Sequence, residues 1–251
     1  MTPGIVWLVL VCALAQVPDP GIVLQEGSST IMGRVLDVAG QPLPGALVTA
    51  LRRASAGKSP LPLIPIGETA QTNDAGDFRL SGLPPGEYDV LAGPALGSPL
   101  QAPVTAAAAV APTFYPGTAD ASAARPVAIG DGQTVSNIVV RLVSMRGFQL
   151  SGMVVDEPGR PVADVMIILK QSPRASVVTP WPIGQARTDR FGRFVIGNVP
   201  RGIYTIIATV PVTLDGQFDG RAQVQRIPPP TQLEVTVDNA DVSDLRAVVR
   251  P

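Results

Sequence analysis

The 251-residue chain has no histidine and one cysteine, Cys12. Zinc sites are built mainly from His and Cys, and a Ser-His-Asp or Cys-His nucleophile needs an imidazole. All of these chemistries are therefore excluded. Charged residues make up 16% of the chain, below the roughly 25% of an ordinary globular protein. The formal net charge is −1, with no run of like charges, which argues against nucleic-acid binding through a basic stretch. Aromatics are scarce at 4%. What is abundant is turn chemistry: Gly 25 and Pro 27, about a fifth of the chain, a level that suits a turn-rich all-β protein and falls short of disorder.

The longest apolar run, residues 5–14, is too short to span a bilayer comfortably. Ala13-Leu14-Ala15 fits a small-x-small cleavage site, so residues 1–15 read as a secretory signal, though no Lys or Arg precedes the run. A lipoprotein signal would need a small residue before Cys12, where Val11 stands. The expected mature chain is secreted or periplasmic, in or near the cell envelope. It has no transmembrane span and no cysteine, so core burial alone must hold it together. Residues 16–29 are expected to form a linker.

From there the chain repeats itself. Gly33-x-Val35-x-Asp37-x-x-Gly40-x-Pro42 returns as Gly152-x-Val154-x-Asp156-x-x-Gly159-x-Pro161. Thr72, Gly76 and Phe78 return as Thr188, Gly192 and Phe194, and Pro84, Gly86 and Tyr88 as Pro200, Gly202 and Tyr204. The second copy is shorter in two loops, the kind of change a duplicated fold tolerates. Asp37 and Gly40, like Asn73 and Gly76, place an Asx at a turn start and a Gly where positive φ is needed, which predicts two hairpins per copy. Ile31, Gly33 and Val35 share one strand face; Tyr88, Val90 and Ala92 share a parity that, with inward-pointing Phe78 and Phe194, is the expected core face. Short strands closely spaced by turns predict two β-sandwiches in tandem. They cover residues 30–143 and 148–250, joined by a few residues near 144–147, and are expected to touch.

The repeated residues resemble the carboxypeptidase regulatory-like domain. In the first copy the resemblance rests on Gly33, Val35, Asp37, Gly40, Pro42, Gly45, Ala46, Gly76, Phe78, Leu83, Pro84, Gly86 and Tyr88. The second copy departs where Gly45-Ala46 becomes Asp164-Val165. The resemblance implies a Greek-key, transthyretin-like (prealbumin-like) sandwich, often grouped with starch-binding-like folds. It implies no catalytic residue, because the motif positions are structural.

The repeat serves as an internal control on candidate chemistry. Asn73, Asp74 and Asp77 crowd one turn as a calcium site would, but Arg190 and Arg193 replace the two aspartates in the second copy, so a shared metal site is not expected. Ser55-x-x-Lys58 matches a Ser-Lys nucleophile pattern only in a glycine- and proline-containing loop without companion motifs. Glu87 and Asp89 share a face, where paired carboxylates could act on glycosides; alternation with Tyr88 and Val90 predicts a solvated face instead. Phe114, Tyr115 and Trp181 sit in proline-flanked loops. They are the candidate ligand residues, for stacking on a sugar ring or anchoring a partner; the alternative is that they close the end of a sandwich core. No cofactor, metal or catalytic residue is expected. The reading is a non-catalytic structural or protein-interaction module of the envelope, with an envelope protein or glycan as partner. Its alternative is a carbohydrate-binding module using loop aromatics, and any specific function is expected where the copies differ, at 93–125 and 172–183.

Overall fold

A computed structural model of the protein describes residues 27–52, 63–96, 108–175, 177–210 and 229–250. Residues 1–15, read above as a signal, and Ser55 and Lys58 lie outside them. The described chain is all-β. The first copy contains β1 (Ser29–Leu36), β2 (Leu47–Arg52), β3 (Ile64–Gln71), β4 (Asp77–Leu83), β5 (Gly86–Gly93), β6 (Ala108–Val110), β7 (Thr113–Phe114), β8 (Val127–Ile129) and β9 (Thr134–Arg141), with a 3-10 turn at Ala121–Ala123. β10 (Ser144–Arg146) follows. The second copy contains β11 (Phe148–Val155), β12 (Met166–Gln171), β13 (Gly184–Arg187), β14 (Arg193–Val199), β15 (Gly202–Thr209), β16 (Thr231–Val237) and β17 (Val242–Val248).

Each copy pairs two sheets. In the first, β4-β1-β9 faces β3-β2-β5, with β7 and β8 on the far side of β5. In the second, β14-β11-β17 faces β13-β12-β15-β16. The first strand of each copy runs parallel to its last, β1 with β9 and β11 with β17, and both pairs carry an irregularity at the same place, before Gly33 and before Gly152. Neither glycine leaves room for a side chain. A Cβ at Gly33 would lie 1.9 Å from the Ile138 carbonyl oxygen, and one at Gly152 2.3 Å from that of Leu245.

The expected core face is buried in both copies, and so are apolar residues of each first strand: Ile31, Val35, Phe78, Tyr88, Val90 and Ala92 in one cluster, and Leu150, Val154, Phe194, Tyr204, Ile206 and Ala208 in another. The Asx turns form as read. Asp37 Oδ1 accepts from the Ala39 and Gln41 N–H groups, and Asn73 Oδ1 from those of Ala75 and Asp77. What these turns join differs from the expectation. β1 and β2 lie in opposite sheets, and so do β3 and β4: the Asp37 turn closes only a short hairpin, bridging Leu36 to Pro42, before the chain crosses to the other layer, and the Asn73 turn is an arch between layers. An Asx-Gly turn dictates that the chain reverses; whether the flanking strands hydrogen-bond or face each other depends on which side their apolar residues must bury.

The repeated threonine has a specific task. Thr72 Oγ1 donates to the Leu43 carbonyl at 2.6 Å and accepts from the Ala46 N–H at 2.8 Å. Thr188 Oγ1 does the same with Val162 and Val165, at 2.9 Å each. Each hydroxyl ties the strand-entry loop to the neighbouring strand where backbone groups would otherwise lack partners. The repeated tyrosines donate to the carbonyl four residues earlier, Tyr88 to Pro84 at 2.6 Å and Tyr204 to Pro200 at 2.7 Å. Burial raises the pKa of both phenols.

Candidate functional site: the joint between the copies

Strand β5 does not alternate. From Tyr88 to Gly93 every residue is buried. Val90 and Ala92 point into the sandwich core, and their neighbours Leu91 and Gly93 face outward onto a surface that is also covered. Across β2, Leu51 stands opposite Asp89, Thr49 opposite Leu91 and Leu47 opposite Gly93. Leu51 and Leu91 belong to an apolar cluster separate from both sandwich cores, together with Leu63, Phe114 and Trp181. Trp181 comes from the second copy.

The indole sits on Gly93: a Cβ at that position would lie 3.3 Å from the Trp181 ring. The loop carrying Trp181 is held by its own polar groups. The Thr179 N–H donates to Gln171 Oε1 at 2.8 Å, and the Thr179 hydroxyl donates to the Trp181 carbonyl at 2.8 Å. Val177 of the same loop bridges to Leu63 of the first copy. A second contact comes from the connector. β10 pairs antiparallel with β6 over Ser144–Arg146 and Ala108–Val110, and Gly147 packs between Ala109 and Asn198. The few residues linking the copies are thus themselves a strand of a small sheet.

Of the three candidate ligand residues, the structure brings two together. Phe114 is 1% exposed and Trp181 6%, and both rings lie in the joint. Tyr115 is partly buried and packs against the first copy's core. In this arrangement neither Phe114 nor Trp181 offers a ring face to solvent. Trp181 does close a core, but not its own: it covers the outside of the other copy's sheet.

Asp89 corrects the expectation of a solvated face. Glu87 is exposed, but Asp89 is 1% exposed, because the joint covers its side of the sheet. Sequence reasoning also missed Leu51, Leu91 and Gly93 as joint residues. The signal was present in the unbroken apolar run Val90-Leu91-Ala92, which a strand with one wet face does not require.

The second copy lacks this seat. At the matching register, Lys170 stands opposite Thr205, Ile168 opposite Ile207 and Met166 opposite Thr209. Thr209 replaces the glycine under the indole, and exposed Lys170 replaces Leu51. This face carries a shallow cleft of about 370 Å³ lined by Ser172, Pro173, Arg174, Thr205, Gln232 and Glu234. Glu234 accepts from the Ser172 hydroxyl at 2.8 Å and pairs with Arg174; the Ser172 hydrogen bond, then Arg174, holds its pKa below the usual carboxylate value. The described acids and cations of the cleft thus satisfy each other. Among the described residues, no group of three or more His, Cys, Asp or Glu side chains could hold a metal ion, and no helix is long and apolar enough to cross a membrane.

Residues 30–143, the first copy, match the carboxypeptidase regulatory-like domain family model. No curated protein matches the chain. Among solved structures, the chain is similar to the Bacillus anthracis TIE protein at 15% identity, covering 88% of this chain and 33% of that one, with a TM-score of 0.29. It is similar to the minor pilin GBS52 of Streptococcus agalactiae at 14% identity, covering 89% and 97%, with a TM-score of 0.32. The shaft pilin SpaA of Lactobacillus rhamnosus GG follows at 12% identity, covering 89% and 98%, with a TM-score of 0.28. The chain spans only a third of the TIE protein's length. Identities and TM-scores are all too low to transfer a function.

Proposed function

We propose that the protein is a non-catalytic structural module of the cell envelope, two tandem carboxypeptidase regulatory-like sandwiches held as one body by the Trp181 joint. The observation that carries this reading is the joint itself. A buried indole seated on a glycine, a strand-paired connector and a second apolar cluster spend sequence on fixing the two copies together. A chain that merely displayed two independent domains would need only a linker. The module boundaries of the reading are 30–143 and 148–250, each with the Greek-key, transthyretin-like topology that the resemblance implies. The second copy is assigned by its repetition of the first. Residues 1–15 act as the export signal, residues 16–29 as the linker, and the partner is an envelope protein or glycan. Phe114 and Trp181 serve the joint, and Tyr115 the adjoining core.

The test combines fractionation of producing cells, N-terminal sequencing of the recovered chain and in-cell crosslinking. The expected outcome is an envelope or extracellular chain lacking residues 1–15, crosslinked to an envelope component in a pattern that Trp181→Ala disperses. A chain recovered intact from the cytosol would overturn the reading, as would a crosslink pattern indifferent to Trp181→Ala.

A further inference from the structure

The two copies also differ on the outer face of their three-stranded sheets. In the first copy, one cross-strand row reads Asp77, Arg34, Val139, and Arg34 Nε donates to Asp77 Oδ1 at 2.7 Å. The same row in the second copy reads Arg193, Met153, Arg246. The acid has become a second cation, and the central cation a thioether. At the rim, exposed Asp74 and Ala75 are replaced by Arg190 and Phe191.

The 189–193 turn holds Phe191 outward. Asp189 Oδ1 accepts from the Phe191 N–H at 2.8 Å and the Arg193 N–H at 2.9 Å, so the nearest carboxylate is committed to the turn. The Arg190 and Arg193 guanidinium carbons lie 4.7 and 5.8 Å from the centre of the Phe191 ring. Phe191 is 49% exposed, Val195 46% and Val248 44%. Among the described residues, none of Arg190, Arg193 and Arg246 forms an ion pair. Of the other acids near this face, Asp156 pairs with Arg160 at 2.8 Å, Glu157 pairs with Arg250 at 2.7 Å, and Asp244 at the β17 irregularity accepts from Ser243.

We propose that this face, with the Arg190-Phe191-Arg193 turn at its rim, docks on an anionic lipid headgroup surface. The chemistry favours that occupant over a soluble polyanion. A polyanion would use the arginines and leave Phe191, Val195 and Val248 in water. A headgroup layer takes both, with the guanidiniums at the phosphates and the apolar side chains just beneath. The shape agrees, since the face is an open sheet with a projecting turn and the cleft described above lies on the other sheet, so a flat surface suits it better than a strand of polymer. The proposal is independent of the joint and of the assignment of an export signal.

The experiment is co-sedimentation of the full chain with vesicles of phosphatidylcholine, and of phosphatidylcholine mixed with phosphatidylglycerol. The neutral vesicles give the baseline contributed by the apolar run at residues 5–14. Expected is an excess of binding on anionic vesicles that weakens with salt and falls about fivefold for each of Arg190→Ser, Arg193→Ser and Arg246→Ser. Phe191→Ser should lower the excess while leaving its salt dependence unchanged. Arg34→Ser and Arg79→Ser in the first copy should leave the excess intact. All these side chains are exposed, and an unchanged thermal melt verifies the fold of each variant. No excess at low salt, an excess indifferent to the second-copy variants, or capture by soluble polyglutamate without capture by vesicles would each overturn the proposal.

Discussion

In the larger sheet of the first copy, the central strands β2 and β5 are buried on both faces, whereas their counterparts β12 and β15 in the second copy alternate, with the outer positions left partly exposed. The turns, the threonine clamps, the tyrosine hydrogen bonds and the irregularity before the crowded glycine are the same in both. Their outer surfaces diverge. A duplicated sandwich is constrained where its layers meet, because a change there opens a cavity or strands a polar group. Its outside is free until something covers it. In the first copy something does, and Leu51, Leu91 and Gly93 fit what lies on them.

The comparison breaks most sharply at the joint. Trp181→Ala should cost about 3–5 kcal/mol, all of it against the first copy's outer face. Calorimetry should then resolve two transitions where the parent protein shows one, since the cavity uncouples the copies. A single transition retained in the variant would show that β6 and β10 alone hold the joint. A smaller effect tests the claim that the scaffolds are equivalent. Thr72→Val and Thr188→Val should each cost about 1–3 kcal/mol in denaturant unfolding, because each leaves a loop carbonyl and a strand N–H without the partner they had. Unequal costs would break the equivalence. The smallest effect has the opposite sign. Thr49 is fully buried under the joint, and its hydroxyl has no hydrogen-bond partner among the described residues; the second copy places Ile168 at that register. Thr49→Val should therefore raise stability by about 1 kcal/mol, read as a higher denaturation midpoint.

Much of the fold was legible because its signals are local. Asp37 with Gly40, and Asn73 with Gly76, specify their turns through their own side chains and dihedrals. Tyr88, Val90 and Ala92 mark a core face by spacing alone. Two things were not legible. The turns gave no sign of whether they close a hairpin or an arch, because the same Asx-Gly geometry serves both. The destination of Trp181 was also hidden: its proline-flanked loop is compatible with a sugar platform, a lid on its own core, or a wedge against a neighbour. Asp89 shows the same limit, since alternation predicts a wet face only when nothing else packs there.

The sequence alone determined the strands, the turns, the inward faces and the duplication, because each rests on neighbours within a few residues and on a repeat that can be compared with itself. It also excluded imidazole chemistry by composition. Only the tertiary structure decided that the second copy's tryptophan finishes the first copy's sheet and that the first copy's outer leucines are interior. Those are contacts between segments far apart in the chain, and periodicity records which residues must be buried but not what buries them.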